Sequence, residues 1–218
     1  MKNTALKLLL TAVVLIPVTV YAQVRPGNPA TATVITKAEI DKISATEQSQ
    51  RTRDENAKVV DIGDGWSMEL GIIHRASTRN PPPAPAAGRS AQAAPQTIPC
   101  GETIANPPAD ALPGAITHDL QTEGYYIVSG GGTAFIDGHV VNGRHSTSNP
   151  DGGPNGPGCG GLAVGSRKIE LKVGDVLIVP PGVIHGWADI PDHVDYLSFR
   201  PSHGVMKNGW VNPTIVSK

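Results

Sequence analysis

The sequence is poor in charge: Asp, Glu, Lys and Arg make up 17% of its 218 residues, and the formal net charge is -1. No basic field recommends nucleic acid as a partner. Cysteine is scarce as well. Cys100 and Cys159 are the only pair, and neither has a C-x-x-C neighbour, which counts against a thiolate metal site. A G-x-S-x-G elbow is missing, which removes the commonest serine hydrolase signal. Gly130-Gly131-Gly132 is not followed by a helix pattern, so it does not read as a phosphate-cradling loop. There is no internal repeat. No apolar run reaches the roughly 18 residues that a membrane span needs.

One shorter apolar run, residues 8–20, follows Lys2 and Lys7 and leads to Val20-Tyr21-Ala22. That order reads as a signal peptide over residues 1–22, cleaved after Ala22, rather than as an anchor. No lipoprotein cysteine follows the run and no arginine pair precedes it. Export by the general secretory route is therefore expected, to the periplasm or the medium, with no membrane attachment after cleavage. In such a compartment an even cysteine count is usually bridged. A Cys100–Cys159 disulfide between two Pro/Gly-rich loops is favoured over metal ligation.

What the chain has in abundance is punctuation. Gly (25) and Pro (20) together form about a fifth of it, which implies many turns and few helices. The length fits one domain with appendages. Residues 23–56 read as an N-terminal extension. Within it, Thr36 and Glu39 resemble a capping box, and Ile40 and Ile43 follow at helical spacing, predicting a helix over about 37–48. Residues 48–56 read as polar and solvated. Residues 58–62 and 66–74 read as two strands joined around Gly63-Asp64-Gly65, a hairpin signal. Further strands are predicted at 115–120, 123–129, 133–136, 168–173, 176–179, 184–188 and 194–199. The β-rich body is placed at 57–203, with loop insertions at 80–113 and 142–166 and a tail at 204–218. Residues 80–96 are of low complexity and cannot fold alone. Many short strands with long loops predict an all-β jelly roll or a related closed barrel.

Three residues stand out from this pattern. In an extended segment His118 shares a face with Ile116 and Leu120, and Glu123 shares one with Tyr125 and Ile127. An unpaired inward imidazole or carboxylate is costly to bury, and sharing a cation relieves the cost. His185 follows the turn Pro180-Pro181-Gly182 and shares a face with Trp187. Two imidazoles and one carboxylate form a metal set with open positions for water or substrate. The plainer reading of His185 alone is a hydrogen-bonded core residue. Tyr125 and Trp187 line the cavity in one reading and are ordinary core in the other. His74 is either an extra ligand from a neighbouring strand or a rim residue beside Arg75. His139, His145, His193 and His203 have no partner at ligand spacing and read as solvated.

The segments 114–130 and 174–189 resemble the two motifs of the cupin superfamily, usually written G-x5-H-x-H-x(3,4)-E-x6-G and G-x5-P-x-G-x2-H-x3-N. The second matches from Gly174 through Pro180, Gly182 and His185, with Asp189 where Asn is usual. The first matches from His118 through Glu123 to Gly130, but Ile116 stands at the first histidine's place and Asp110 at the leading glycine's. The resemblance covers about residues 58–200 and implies a single-domain cupin-type jelly-roll β-barrel with a metal site at His118, Glu123 and His185. It implies one divalent transition metal (Fe, Mn, Cu, Zn or Ni). It also implies a metal-dependent enzyme acting on a small molecule. Oxidation of the dioxygenase kind is favoured, because the triad resembles that of non-haem iron oxygenases; lyase and isomerase chemistry remain open. The alternative is a non-catalytic binding module for a sugar, a carboxylate or another small ligand, and a third reading is a partner protein tethered through 80–96. Small cupins often pair their barrels, so a homodimer accords with the resemblance.

Overall fold

Every ladder between named strands is antiparallel, and the connections follow from where turns and glycines fall. The computed structural model describes residues 28–45, 52–82, 98–146 and 156–216; the predicted signal peptide lies outside them, as does most of the low-complexity stretch. The elements are α1 (Lys37–Ser44), β1 (Thr52–Gly63), β2 (Trp66–Ala76), β3 (Ile98–Cys100), β4 (Leu112–Ile116), β5 (Glu123–Ile136), β6 (His139–Ser146), β7 (Gly158–Val164), β8 (Arg167–Lys172), β9 (Val176–Val179), β10 (His185–Asp189) and β11 (His193–His203). Their order in the sheet is β1-β2-β11-β5-β10-β4-β7-β6-β3, with β8 and β9 also paired to β5. This is the all-β jelly roll that the sequence predicts, with one difference: among the described residues the path of paired strands does not close into a ring.

The predicted hairpin is present, with Gly63 opposite Trp66. Asp64 (φ 53°) and Gly65 (φ 78°) supply the two positive dihedrals that a twist-matched two-residue turn needs. β5 holds the molecule together. Residues 123–126 pair with β9 and residues 124–130 with β11. Beyond Gly130 the same strand pairs with β8 and β10. The change of partners falls on Gly130-Gly131-Gly132, where a Cβ would come within 2.0, 2.5 and 2.4 Å of the carbonyl oxygens of His193, Leu171 and Asp189. These glycines permit strand crossing, so the triplet is structural.

The main core lies inside this fold and contains Ile73, Tyr125, Ile127, Ala134, Val194 and Tyr196. On the outer side, α1 lays Ile43 against Ala57, Ile72 and Ile215. The capping box is formed in full, Thr36 and Glu39 each bonding the other's backbone N–H.

Four expectations are corrected. Residues 52–56 are strand rather than solvated chain, because β1 turns Asn56 and Asp54 toward the buried Arg200. The strand predicted at 115–120 ends at Ile116, leaving Leu120 exposed and His118 buried. The described parts of 142–166 are largely a β6–β7 ladder rather than a loop. Cys100 and Cys159 form the predicted disulfide, Cα–Cα 6.1 Å, but from short strands instead of loops. After β11 the chain packs back on the body, burying Val205, Met206 and Ile215.

Candidate metal centre

Three turns deliver the three side chains. His118 lies just past β4, where its carbonyl accepts a hydrogen bond from Gly182 N–H (2.7 Å). That bond ties the loop before His185 to the loop carrying His118. Gly182 has φ +76°, which suits glycine at the tight turn preceding β10. Glu123 opens β5 and His185 opens β10. His118, Glu123 and His185 are all buried, at 4%, 2% and 2% exposure, and their ligand atoms lie within 4.8 Å of one another.

The two imidazoles converge on one carboxylate oxygen. His118 Nε2 lies 3.3 Å and His185 Nε2 3.0 Å from Glu123 Oε2, and the rings stand 5.1 Å apart. His185 Nδ1 donates to the Val183 carbonyl at 3.1 Å. In the neutral ring this fixes Nε2 as the lone-pair nitrogen. Despite its distance from Oε2, that nitrogen makes no hydrogen bond and is fully buried. Close approach without alignment is what a ligand atom aimed at a shared cation shows. The donor set of two imidazoles and a carboxylate suits a divalent transition metal.

Glu123 is held as an anion from behind. Burial acts to raise its carboxyl, but the Arg200 guanidinium foremost, with His118 beside it, outweighs burial and holds it well below the usual range. Oε1 accepts from Ser198 Oγ (3.0 Å) and Arg200 Nε (2.9 Å), and Arg200 Nη2 lies 2.7 Å away. Oε2 faces the histidines and accepts from Tyr125 OH at 2.9 Å. Burial and the adjacent carboxylate push the Tyr125 phenol well above its ordinary value, so it serves as a neutral donor.

Arg200 itself is fully buried and is matched by Asp54, at 2.9 and 3.2 Å, and by Asn56. Gly71 makes room for it: a Cβ there would meet the guanidinium at 3.1 Å. Deeper still, Gln121 Nε2 donates to Glu69 Oε1 at 2.5 Å, while Glu69 Oε2 has no partner. This polar interior was missed at the level of sequence. Alternation along β11 puts Ser198, Arg200 and Ser202 on the face of Val194 and Tyr196, and extending the predicted strand past Phe199 exposes the pattern.

His74 does not join the group. Alternation along β2 turns Ile73 and Arg75 inward and His74 outward, where Nδ1 lies 2.6 Å from Asp195 Oδ1 and the ring stacks on His193. His193 and His145 are also engaged, near Ser129 (2.8 Å) and Asp119 (2.6 Å) respectively, rather than freely solvated. Tyr125 and Trp187 both line a cavity of about 250 Å³ beside His185, together with Arg75, Ile116 and Ile190. Ile116 faces His185 directly across the β4–β10 pairing. Asp189 lies at the far end of β10 and pairs with Arg79.

No family model matches the chain, and no curated protein matches it. Among solved structures, the chain is similar to an uncharacterized conserved protein with a double-stranded beta-helix domain from Klebsiella pneumoniae subsp. pneumoniae. The identity is 13%, the match covers 80% of this chain and 94% of that one, and the TM-score is 0.33. Nothing about the site follows from a likeness of that size.

Proposed function

We propose that this protein is an exported enzyme that holds one divalent transition metal ion through His118, Glu123 and His185 and acts on a small molecule, with oxygen-dependent oxidation the preferred chemistry. The observation that carries the reading is the convergence of three buried ligand atoms, one of which, His185 Nε2, has no hydrogen bond. When bound, the ion supplies Lewis acidity or redox capacity beside the cavity that His185 lines.

The chain's own residues account for the rest. Arg200 and Ser198 occupy Oε1 of Glu123, which leaves Oε2 as the oxygen presented to the site. The Val183 carbonyl orients His185. The walls of Ile116, Trp187 and Ile190 exclude water from the reacting end and admit only a small substrate. The Cys100–Cys159 disulfide accords with an oxidising compartment. A non-catalytic binding module is the second reading. It is favoured by Ile116, an apolar wall where the resemblance places a ligand, and by the lack of any Asp or Glu among the residues lining the cavity.

The test is titration of chelator-treated protein with Fe(II), Mn(II), Cu(II), Zn(II) and Ni(II), followed by thermal unfolding. Free metal held at about a hundred times its dissociation constant stabilises by about 3 kcal/mol, an upward shift of roughly 5–10 °C. His185→Gln, which keeps a polar group of similar reach, is expected to abolish the shift. An equal shift in the variant would refute the ligand assignment.

A further inference from the structure

We infer that Arg75 anchors a carboxylate-bearing small molecule in the cavity beside the candidate metal centre. Arg75 lies on the inward face of β2, two residues beyond Ile73, and lines the same cavity as His185. Its Nε donates to Tyr196 OH at 3.1 Å, which fixes the plane of the guanidinium. Among the described residues no acidic side chain pairs with it and neither Nη atom is bonded. Asp54, whose charge reaches Arg75, has its two oxygens on Arg200. The contrast between the two arginines is informative: Arg200 is surrounded by carboxylates and an amide, while Arg75 keeps a pair of donors for something outside the chain.

That pair defines the ligand's chemistry. Two parallel N–H donors match the two oxygens of a carboxylate. Arg75 is the one permanent charge among the residues lining the cavity, with no second cation beside it. A single positive charge balances a monoanion and leaves a phosphate dianion half-neutralised. The remaining wall is Ile116, Ile190 and the rings of Trp187 and Tyr125, which suits a flat apolar body. The replacement of a ligand by Ile116 thus provides a wall for this body. The site is an anion anchor and an apolar slot, with His185, the member of the triad that reaches the cavity, in the same wall. That the bound carboxylate is a substrate rests on the metal reading above; the anchoring does not.

The probe is sodium benzoate, with benzamide as its neutral isostere and inorganic phosphate as the competing anion. Calorimetric titrations are made on the mature chain with and without one equivalent of Zn(II). Benzoate is expected to bind one site. Arg75→Gln is expected to weaken it by at least about tenfold, with Arg75→Lys intermediate, while Zn(II) binding stays unchanged. Benzamide is expected to bind no better to the native protein than benzoate does to Arg75→Gln. Equal benzoate affinity in Arg75→Gln, no benzoate binding, or benzamide or phosphate binding as tightly as benzoate would each overturn the inference. Arg75-dependent benzoate binding by a chain that takes up no metal would uphold the anchor and defeat the metalloenzyme reading. Metal uptake without benzoate binding would do the reverse.

Discussion

Glu69 and Glu123 are both buried on the inner face of the sheet, and their surroundings treat them in opposite ways. Glu123 is met by a guanidinium, a serine hydroxyl, a phenol and two imidazoles, and remains charged. Glu69 accepts from the Gln121 amide at Oε1 and has the Asn56 amide beside it, while Oε2 makes no hydrogen bond. Burial is the dominant influence on it and, against the lowering effect of Arg200, pushes its carboxyl up to about 7. The folded value thus lies above the ordinary value of 4.5. Between those two values the folded chain holds a proton that the unfolded chain has released. Its contribution is full below the ordinary value and is lost as pH rises toward the folded one, by about 3 kcal/mol at roughly 1.4 per pH unit. Urea unfolding at about pH 5 and about pH 7.5 checks this. Glu69→Gln is expected to remove most of the decline and to be the more stable protein at the higher pH. An unchanged pH slope in Glu69→Gln would show that the carboxyl is not the titrating group.

At the scale of elements, β5 is the one on which the fold depends, because it pairs with four other strands and begins with Glu123. Its change of partners requires backbones to touch. Gly130 has φ +64° and no room for a Cβ, whereas Gly165 has φ +71° and nothing within 4 Å of one. Gly165→Ala is expected to cost about 1–2 kcal/mol from backbone conformation alone. Gly130→Ala adds the overlap with the His193 carbonyl and is expected to exceed it by about 1–3 kcal/mol. Equal losses in denaturant titrations would mean that the crossing does not depend on close backbone approach. The β1–β2 hairpin was legible because Gly63-Asp64-Gly65 carries turn chemistry in its own residues. The β6–β7 ladder was not, because Gly143, Gly158, Gly160 and Gly161 read as loop formers. Three of them, Gly143, Gly158 and Gly161, are there because a Cβ would meet neighbouring chain at under 3 Å.

For the whole molecule, sequence spacing made three side chains visible and left their supports hidden. His118, Glu123 and His185 could be picked out because imidazoles and a carboxylate at short intervals in an apolar strand pattern demand a reason. Arg200, Asp54 and Asn56 could not, since their meeting spans sequence separations of 144 and 146 residues and only the pairing of distant strands creates it. Arg75 carries no motif of its own beside His74, and only alternation along β2 turns one inward and the other outward. The fold therefore brings His118, from the chain just past β4, together with Glu123, His185, the clamp on that carboxylate and Arg75, from β1, β2, β5, β10 and β11, while the Cys100–Cys159 bridge fastens β3 to β7 at the other end of the sheet path.

The central claim is that this assembly holds a metal ion. Metal content of the untagged mature protein, measured by plasma mass spectrometry beside a His118→Ala/His185→Ala double variant, tests it most directly. About one equivalent of a single transition metal is expected in the native protein and none in the folded variant. A native protein without metal, which takes up neither iron, manganese, copper, zinc nor nickel when these are supplied, would contradict it.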